Sequence, residues 1–259
     1  MVTLAAINEA LSTYIRPQTN PLAIRLLNRE DEIPPEAKRP LKDFGNPIGL
    51  CQALAIARRE GLTIVLDKDS QSCPIALVGL GFARPTAFLS GDYKLAPINQ
   101  STEARKKAAE ALPLFEYGKY RYILISTVNS AKFQPDIITF YGNSAQVMRM
   151  IQAAVFKTGE GVTSRMIGSG SCFVQIVTPM LSGGCQYSIP GNGERRLALT
   201  ADHEVAFSMP QNRFDDVISG LELSHEGGQR YPISSSALKL EPKFSPPAYA
   251  ELLKILREV

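Results

Sequence analysis

The sequence predicts an α/β protein in which a mixed β-sheet is flanked by helices. Apolar residues recur at the 3.6-residue spacing of amphipathic helices, and short β-branched apolar runs are typical of buried strands. Glycine and proline separate these two kinds of segment along the chain. We find no clear linker in the 259 residues, so we expect a single compact domain over 1–259.

In the first half of the chain, these patterns predict helices and strands in alternation. Helices are expected over 3–15, 49–60 and 101–112 and after Cys73, and strands over 23–27 and 62–66. Pro17 and Pro21 end the first helix, because proline cannot continue it. Gly61 is expected to cap the second helix at its C-terminus.

The second half carries most of the predicted strands. These are expected over 120–128, 136–141, 186–189, 197–200 and 204–209. Helices are expected over 144–157, 213–221 and 248–257, and another begins near Cys172 and is broken at Pro179. Residues 224–247 are rich in glycine, proline and serine, which predicts an irregular surface segment.

Composition excludes several classes of protein. Apolar residues make up 44% and charged residues 20% of the chain, which is ordinary for a folded domain. The net charge of +3 comes from 28 basic and 25 acidic residues, and this balance does not favour nucleic acid. No run approaches the roughly 18 apolar residues that span a bilayer, and the N-terminus lacks the features of a signal peptide. We therefore expect a cytoplasmic protein with no membrane partner.

The most informative residues are four cysteines in glycine-rich turns, namely Cys51, Cys73, Cys172 and Cys185. Disulfides are rare in the cytoplasm, so we expect reduced thiols or metal-bound thiolates. The first three stand at the starts of predicted helices, where free N–H groups and the helix dipole stabilise a thiolate. The spacing of the four cysteines contains no CxxC pair and matches neither a ferredoxin pattern nor a zinc ribbon.

The sequence around these cysteines is compatible with a bulky, negatively charged cofactor. Glycines stand one or two residues before three of the cysteines, and glycine lets backbone N–H groups approach inorganic sulfide. Arginines follow nearby and would offset the negative charge of a thiolate-bound cluster. The residues expected to contact the cofactor are Gly49, Gly170, Gly184, Arg195 and Arg196.

We therefore predict an iron–sulfur protein in which all four cysteines bind one cluster of four irons and four sulfides. Its role would be redox chemistry or the activation of a small molecule, and its catalytic residues are unknown. Three alternatives stay open: a metal-free module for small anions with structural cysteines, a thiol redox enzyme using a pair such as Cys73 and Cys185, and a zinc site. A small-molecule substrate or a redox partner protein is expected, and a homo-oligomer is an option.

A second candidate site is the turn Gly142, Asn143 and Ser144, which leads from a predicted strand into a helix. Free N–H groups at such a helix start could hold a phosphate or a carboxylate. The alternative is an ordinary helix cap made by Asn143 or Ser144. The sequence leaves both interpretations open.

Residues 51–66 and 172–189 share a pattern of cysteine, apolar helix, glycine and strand. This weak internal similarity suggests that one half of the chain is a duplicate of the other. Beyond the shared order of features, the two segments have no residue-level identity.

Several stretches resemble an uncharacterised prokaryotic family, domain-of-unknown-function family 169. They are Cys51-Gln52 with Ala57-Arg58, Cys73-Pro74 with Gly79-Leu80-Gly81, and, most specifically, Phe133–Arg149. The resemblance runs from Tyr14 to about Leu221 and implies cysteines at all four positions, which favours their acting together. It also implies an arginine after the last cysteine, here Arg195 or Arg196. Gln71-Ser72 stands where the family often has a His-containing pair, and the resemblance implies no established activity.

Overall fold

A computed structural model describes residues 2–93, 98–231 and 247–257. The described residues form a six-stranded sheet in the order β2-β3-β1-β4-β6-β5. Its strands are β1 Leu22–Leu27, β2 Ile64–Leu66, β3 Tyr122–Thr127, β4 Ile137–Gly142, β5 Gln186–Ser188 and β6 Val205–Pro210. Each neighbouring pair is antiparallel. The predicted α/β class is confirmed, and the sheet is antiparallel where a mixed sheet was expected.

Helices cover both faces of this sheet. In chain order they are α1 Leu4–Tyr14, α2 Pro40–Asp43, α3 Leu50–Glu60, α4 Pro74–Gly79, α5 Thr86–Leu89, α6 Thr102–Glu110, α7 Ser144–Val155, α8 Ser171–Ser182, α9 Asn192–Ala198, α10 Phe214–Glu226 and α11 Pro247–Arg257. Among the described residues, no helix combines the length and the apolar character needed to cross a membrane.

Alternating strand residues separate two apolar cores, because successive side chains of a strand point to opposite faces. Leu22, Ile24 and Leu26 of β1 enter a core that α3, α4 and α8 cover, and we call this the cysteine-side core. Ala23 enters the core under α1, α7 and α10, which we call the opposite core. The face on which a residue lies therefore decides which other residues it can meet.

Local sequence explains where several helices begin and end. The Thr3 hydroxyl accepts a hydrogen bond from the Ala6 N–H (3.2 Å) at the start of α1. Gly61 ends α3 in the left-handed conformation at φ +75°. These bounds agree with the predicted helices over 3–15 and 49–60.

Two predicted elements in the second half are wrong. The helix that begins near Cys172 continues through Pro179 to Ser182. Most of the helix before Pro179 is buried, which outweighs the roughly 3 kcal/mol that an interior proline costs. The predicted strand over 197–200 is instead the end of α9. The missed signal is Glu194, whose carboxylate accepts a hydrogen bond from the Gly191 N–H (3.3 Å) and so caps that helix.

The expected irregular segment over 224–247 falls largely outside the described residues. Its first three residues, 224–226, are the last turn of α10, and Pro247 begins α11. Ser224 is buried in this last turn, and its hydroxyl donates a hydrogen bond to the Gly220 carbonyl one turn earlier.

The internal similarity between residues 51–66 and 172–189 is also present in the structure. Both segments consist of a helix on the cysteine side, a glycine in the left-handed conformation (Gly61 and Gly183) and a short strand. The two strands, β2 and β5, are the opposite edges of the sheet. The two halves of the sheet therefore repeat one arrangement of helix, glycine and edge strand.

A candidate cysteine site at three helix N-termini

Three of the four cysteines lie together on the cysteine side of the sheet. Cys51 is the second residue of α3, Cys172 is the second residue of α8, and Cys73 directly precedes α4. The Cys51 and Cys172 thiols are close enough to shift each other's pKa, and both interact electrostatically with Cys73. A Cβ placed on Gly49 would lie 3.6 Å from the Cys51 Sγ and 3.8 Å from the Cys73 Cβ.

The three thiols differ in acidity. The hydrogen bond from Cys172 lowers the pKa of Cys51, and the N–H groups of Gln52 and Cys51 add to this effect. The same hydrogen bond, together with burial, raises the pKa of Cys172 well above its usual value. Burial also raises the pKa of Cys73, although the N–H groups of Ala76 and Ile75 oppose this. Cys51 is therefore the thiol of the three that most readily carries negative charge.

Gln71 links the starts of two of these helices. Its Oε1 accepts hydrogen bonds from the N–H groups of Leu50 (3.1 Å) and Cys73 (2.9 Å). The side chain is buried, and its Nε2 has no hydrogen-bond partner among the described residues. A buried donor without an acceptor is unfavourable, so this amide is available to an acceptor at the cysteine site.

A buried carboxylate stands beside the cysteines. Glu194 of α9 accepts hydrogen bonds from the Tyr141 hydroxyl (2.9 Å) and from the Ser171 hydroxyl. Gln175 in turn donates to the Tyr141 oxygen at 2.7 Å. Burial raises the pKa of Glu194, and the two hydroxyl hydrogen bonds oppose that rise. The negative charge of Glu194 also opposes ionisation of the Cys51 and Cys172 thiols.

A buried ion pair between Arg58 and Glu204 supports this hydrogen-bond network. The Arg58 guanidinium is 1% exposed and lies 4.2 Å from the centre of the Tyr141 ring. It donates to both carboxylate oxygens of Glu204, with one bond of 3.0 Å, and to the Thr19 hydroxyl at 3.1 Å. Arg58 therefore fixes the ring whose hydroxyl holds Glu194.

The structure does not bring Cys185 to the other three cysteines. Cys185 directly precedes β5 and packs against the opposite core, as Tyr187 and Val205 also do. The positive charge of Arg213 acts on the Cys185 thiol and partly opposes the rise in its pKa that burial causes. A redox pair of Cys73 with Cys185 is not formed in this arrangement, and all four cysteines are free thiols.

Cys185 should react far more slowly with iodoacetamide than a free cysteine. Burial raises the pKa of Cys185 to about 11, so at about pH 8 its thiolate fraction is roughly a hundredfold lower than that of an ordinary thiol. Timed alkylation followed by mass spectrometry of the Cys185 peptide measures the rate. Denatured protein is the control and should react at the ordinary rate. A native rate within a few-fold of that control would contradict the prediction.

The five residues expected to contact a cofactor divide into two groups. Gly49 and Gly170 are the residues just before α3 and α8, so they lie at the cysteine site. Gly170 must be glycine, because its φ is +73° and a Cβ would lie 2.4 Å from the Phe173 ring. Gly184 accompanies Cys185 at the far end of α8 and donates to the Ser182 hydroxyl.

The two arginines of α9 do not contact the cysteines. Arg195 donates to the Ala201 carbonyl (2.7 Å) and forms an ion pair with Asp202 at 3.4 Å. Arg196 is exposed. The helical period turns these residues away, and Glu194 is the residue of α9 that faces the site.

The turn Gly142, Asn143 and Ser144 caps α7, so the alternative interpretation of this turn is confirmed. The Asn143 side chain accepts from the Gln146 N–H (2.9 Å), and the Gln146 side chain accepts from the Asn143 N–H (2.8 Å). Asn143 also donates to the Tyr231 hydroxyl at 3.1 Å. Two N–H groups that an anion would need are therefore already hydrogen-bonded.

The donor atoms at the site suit a soft metal, but they do not converge on one ion. Thiolate sulfur is the ligand that iron–sulfur clusters and zinc prefer. Across the part of the chain that the structure describes, no group of three or more His, Cys, Asp or Glu side chains is arranged to hold a metal ion.

Sequence reasoning missed Glu194, Ser171 and Gln71 as members of the site. Each is an ordinary polar residue in the sequence and becomes informative only through its place next to a cysteine, where Gln71 and Glu194 are buried and Ser171 is half-buried. One signal was available, since Glu194 stands three residues after Gly191 at the position of a capping carboxylate. That signal predicts the start of α9 and not the neighbours of Glu194.

The fold and the site together define an α/β protein with an antiparallel sheet and a buried cluster of three cysteines. The sequence matches domain-of-unknown-function family 169, described as an uncharacterised ArCR family, over residues 10–220, and the chain belongs to this family. It is similar to the uncharacterized protein MJ0308 of Methanocaldococcus jannaschii, with 24% identity over 211 residues that cover 78% of this chain and 86% of the relative. No solved structure matches it.

Proposed function

We propose that this chain is a cytoplasmic iron–sulfur protein in which Cys51, Cys73 and Cys172 hold one cluster of four irons and four sulfides. The observation that carries the proposal is the gathering of three thiols from distant parts of the chain at the N-termini of separate helices. Cysteines that serve only as small core residues have no reason to meet in this way. Cys185 lies in the opposite core and is not a ligand in this proposal.

A cluster accounts for this arrangement better than a single zinc ion does. Four ligands of a zinc ion must converge on one point at bond distance, and the described residues contain no such group. A cubane spreads its irons over a larger volume, so its cysteines need only surround a shared space. With three cysteine ligands, one iron would be open to a substrate, which the cluster could then activate as a Lewis acid or by electron transfer.

The residues around the cysteines have distinct roles in this proposal. N–H groups at the starts of α3 and α4 already point at the sulfurs of Cys51 and Cys73 and would stabilise their thiolates. Gln71 offers the unused Nε2 as a further donor to sulfur. Glu194, held by Tyr141 and Ser171, stands beside Cys51 and Cys172 and would orient a polar group of the substrate.

A thiol redox enzyme is the second candidate, and one observation favours it. The Cys172 thiol is hydrogen-bonded to the more acidic Cys51, which is the arrangement from which a disulfide forms. The reaction would oxidise the two thiols to one disulfide, and a disulfide substrate would take up the two electrons and two protons. The third cysteine and Gln71 have no role in this reaction, so the cluster remains the first proposal.

Iron and acid-labile sulfide in protein purified without oxygen test the first proposal. We expect about four irons and four sulfides per chain, with visible absorption that dithionite bleaches. Cys51→Ser, Cys73→Ser and Cys172→Ser should each lose most of the iron. Cys185→Ser is the matched control and should keep it.

Wild-type protein without iron would reject the cluster. A Cys185→Ser variant that loses as much iron as the other three would reject the proposed set of three ligands. The redox candidate would be established instead if iron-free wild-type protein loses two free thiols when treated with oxidised glutathione. The Cys51→Ser variant should then keep its free thiols under the same treatment.

A further inference from the structure

An apolar cavity of about 330 Å³ lies beside the cysteine site. It is formed between the start of α8 and the connection from β5 to α9. Its apolar lining comes from Met166, Ile167, Val174, Ile189 and Pro190. A concave apolar space with a few polar groups is the usual form of a small-molecule site.

Ser171 connects this cavity to the cysteines. Ser171 lines the cavity and donates a hydrogen bond to Glu194, while its oxygen accepts from the Gly191 N–H at 2.8 Å. The next residue along α8 is Cys172. A molecule in the cavity would therefore touch Ser171, which is hydrogen-bonded to the carboxylate that stands beside Cys51 and Cys172.

Ser188 is the second observation that points to a ligand. It lines the same cavity and is 1% exposed, yet its hydroxyl has no hydrogen-bond partner among the described residues. Buried hydroxyls are nearly always hydrogen-bonded, because water can no longer satisfy them. A polar group on a bound molecule would supply the missing partner.

The volume indicates how much of that molecule the cavity can enclose. An engineered apolar cavity of about 150 Å³ holds one benzene, and this cavity has about twice that volume. We propose that it binds the substrate of the cysteine site, a mainly apolar molecule about two fused rings in size. Its single hydroxyl or carbonyl group hydrogen-bonds to Ser188. The role as substrate site rests on the proposed function, whereas the binding itself does not.

Binding of 2-naphthol and naphthalene to the full chain tests the proposal. The chain contains no tryptophan, so probe fluorescence is read without tryptophan background. Wild-type protein should bind 2-naphthol about fivefold more tightly than naphthalene, which is the value of one hydrogen bond. Ser188→Ala should remove that difference and leave the affinity for naphthalene unchanged.

The matched control is Ser224→Ala. Ser224 is equally buried, but it lies on α10, and its hydroxyl donates to the Gly220 carbonyl. This variant should keep the fivefold preference. Circular dichroism confirms that both variants fold. No binding of either probe, or a preference that survives in Ser188→Ala, would overturn the proposal.

A second measurement links the cavity to the cysteine site. In iron-loaded protein reduced by dithionite, 2-naphthol should change the electron paramagnetic resonance spectrum of wild type but not of Ser188→Ala. Binding without a spectral change would overturn the role as substrate site. Fluorescence binding needs no iron, so failure of the cluster and failure of the cavity site give different results.

Discussion

Replacing Glu204 with glutamine should lower the free energy of unfolding by about 3–5 kcal/mol, the usual cost of removing one partner of a buried ion pair. The reason is that Arg58 is 1% exposed and stays charged. Glu204 accepts from both terminal nitrogens of that guanidinium. Without the carboxylate, the buried positive charge would keep the Tyr141 ring, the Thr19 hydroxyl and the more distant Glu194, but it would lose the negative charge that pairs with it directly.

Urea unfolding measures this loss, and two comparisons make it specific. Asp31→Asn removes the partner of Arg29 in an exposed pair and should cause no measurable change. The double change Arg58→Met with Glu204→Leu removes both charges and should cost less than Glu204→Gln alone. A single variant as stable as wild type would show that Arg58 does not depend on Glu204.

Replacing Gly220 with alanine should lower the free energy of unfolding by about 2 kcal/mol, through overpacking that exceeds the gain in helix propensity. Gly220 lies on α10 where that helix crosses α7. A Cβ at this position would lie 2.2 Å from the Ala153 carbonyl oxygen and 3.0 Å from its carbon. Both are backbone atoms, so α7 itself would have to move.

Gly193→Ala is the matched control, because the same change there meets no obstacle. Within the described part of the chain, nothing lies within 4 Å of a Cβ placed on Gly193, and the residue is in α9. This variant should gain about 0.5 kcal/mol from helix propensity. Thermal or urea unfolding of both variants measures the contrast. An equal effect in the two would contradict close packing of α7 against α10.

Part of the candidate site could be predicted from the sequence. Helix periodicity together with Gly49 and Gly170 placed Cys51 and Cys172 at helix starts, and the helix expected after Cys73 is α4. These are local properties, because a helix start is decided by its own capping residues. The prediction that Cys185 joins them needed long-range information that spacing alone does not contain.

The α/β class, the bounds of most elements and the helix-start positions of three cysteines were determined by the sequence alone, since apolar periodicity and capping act over a few residues. Only the tertiary structure decided that Cys51, Cys73 and Cys172 meet while Cys185 does not. It also decided that Glu194 faces them while Arg195 and Arg196 do not. The physical reason is that a sheet has two faces, and the strand order decides which distant helices share one of them.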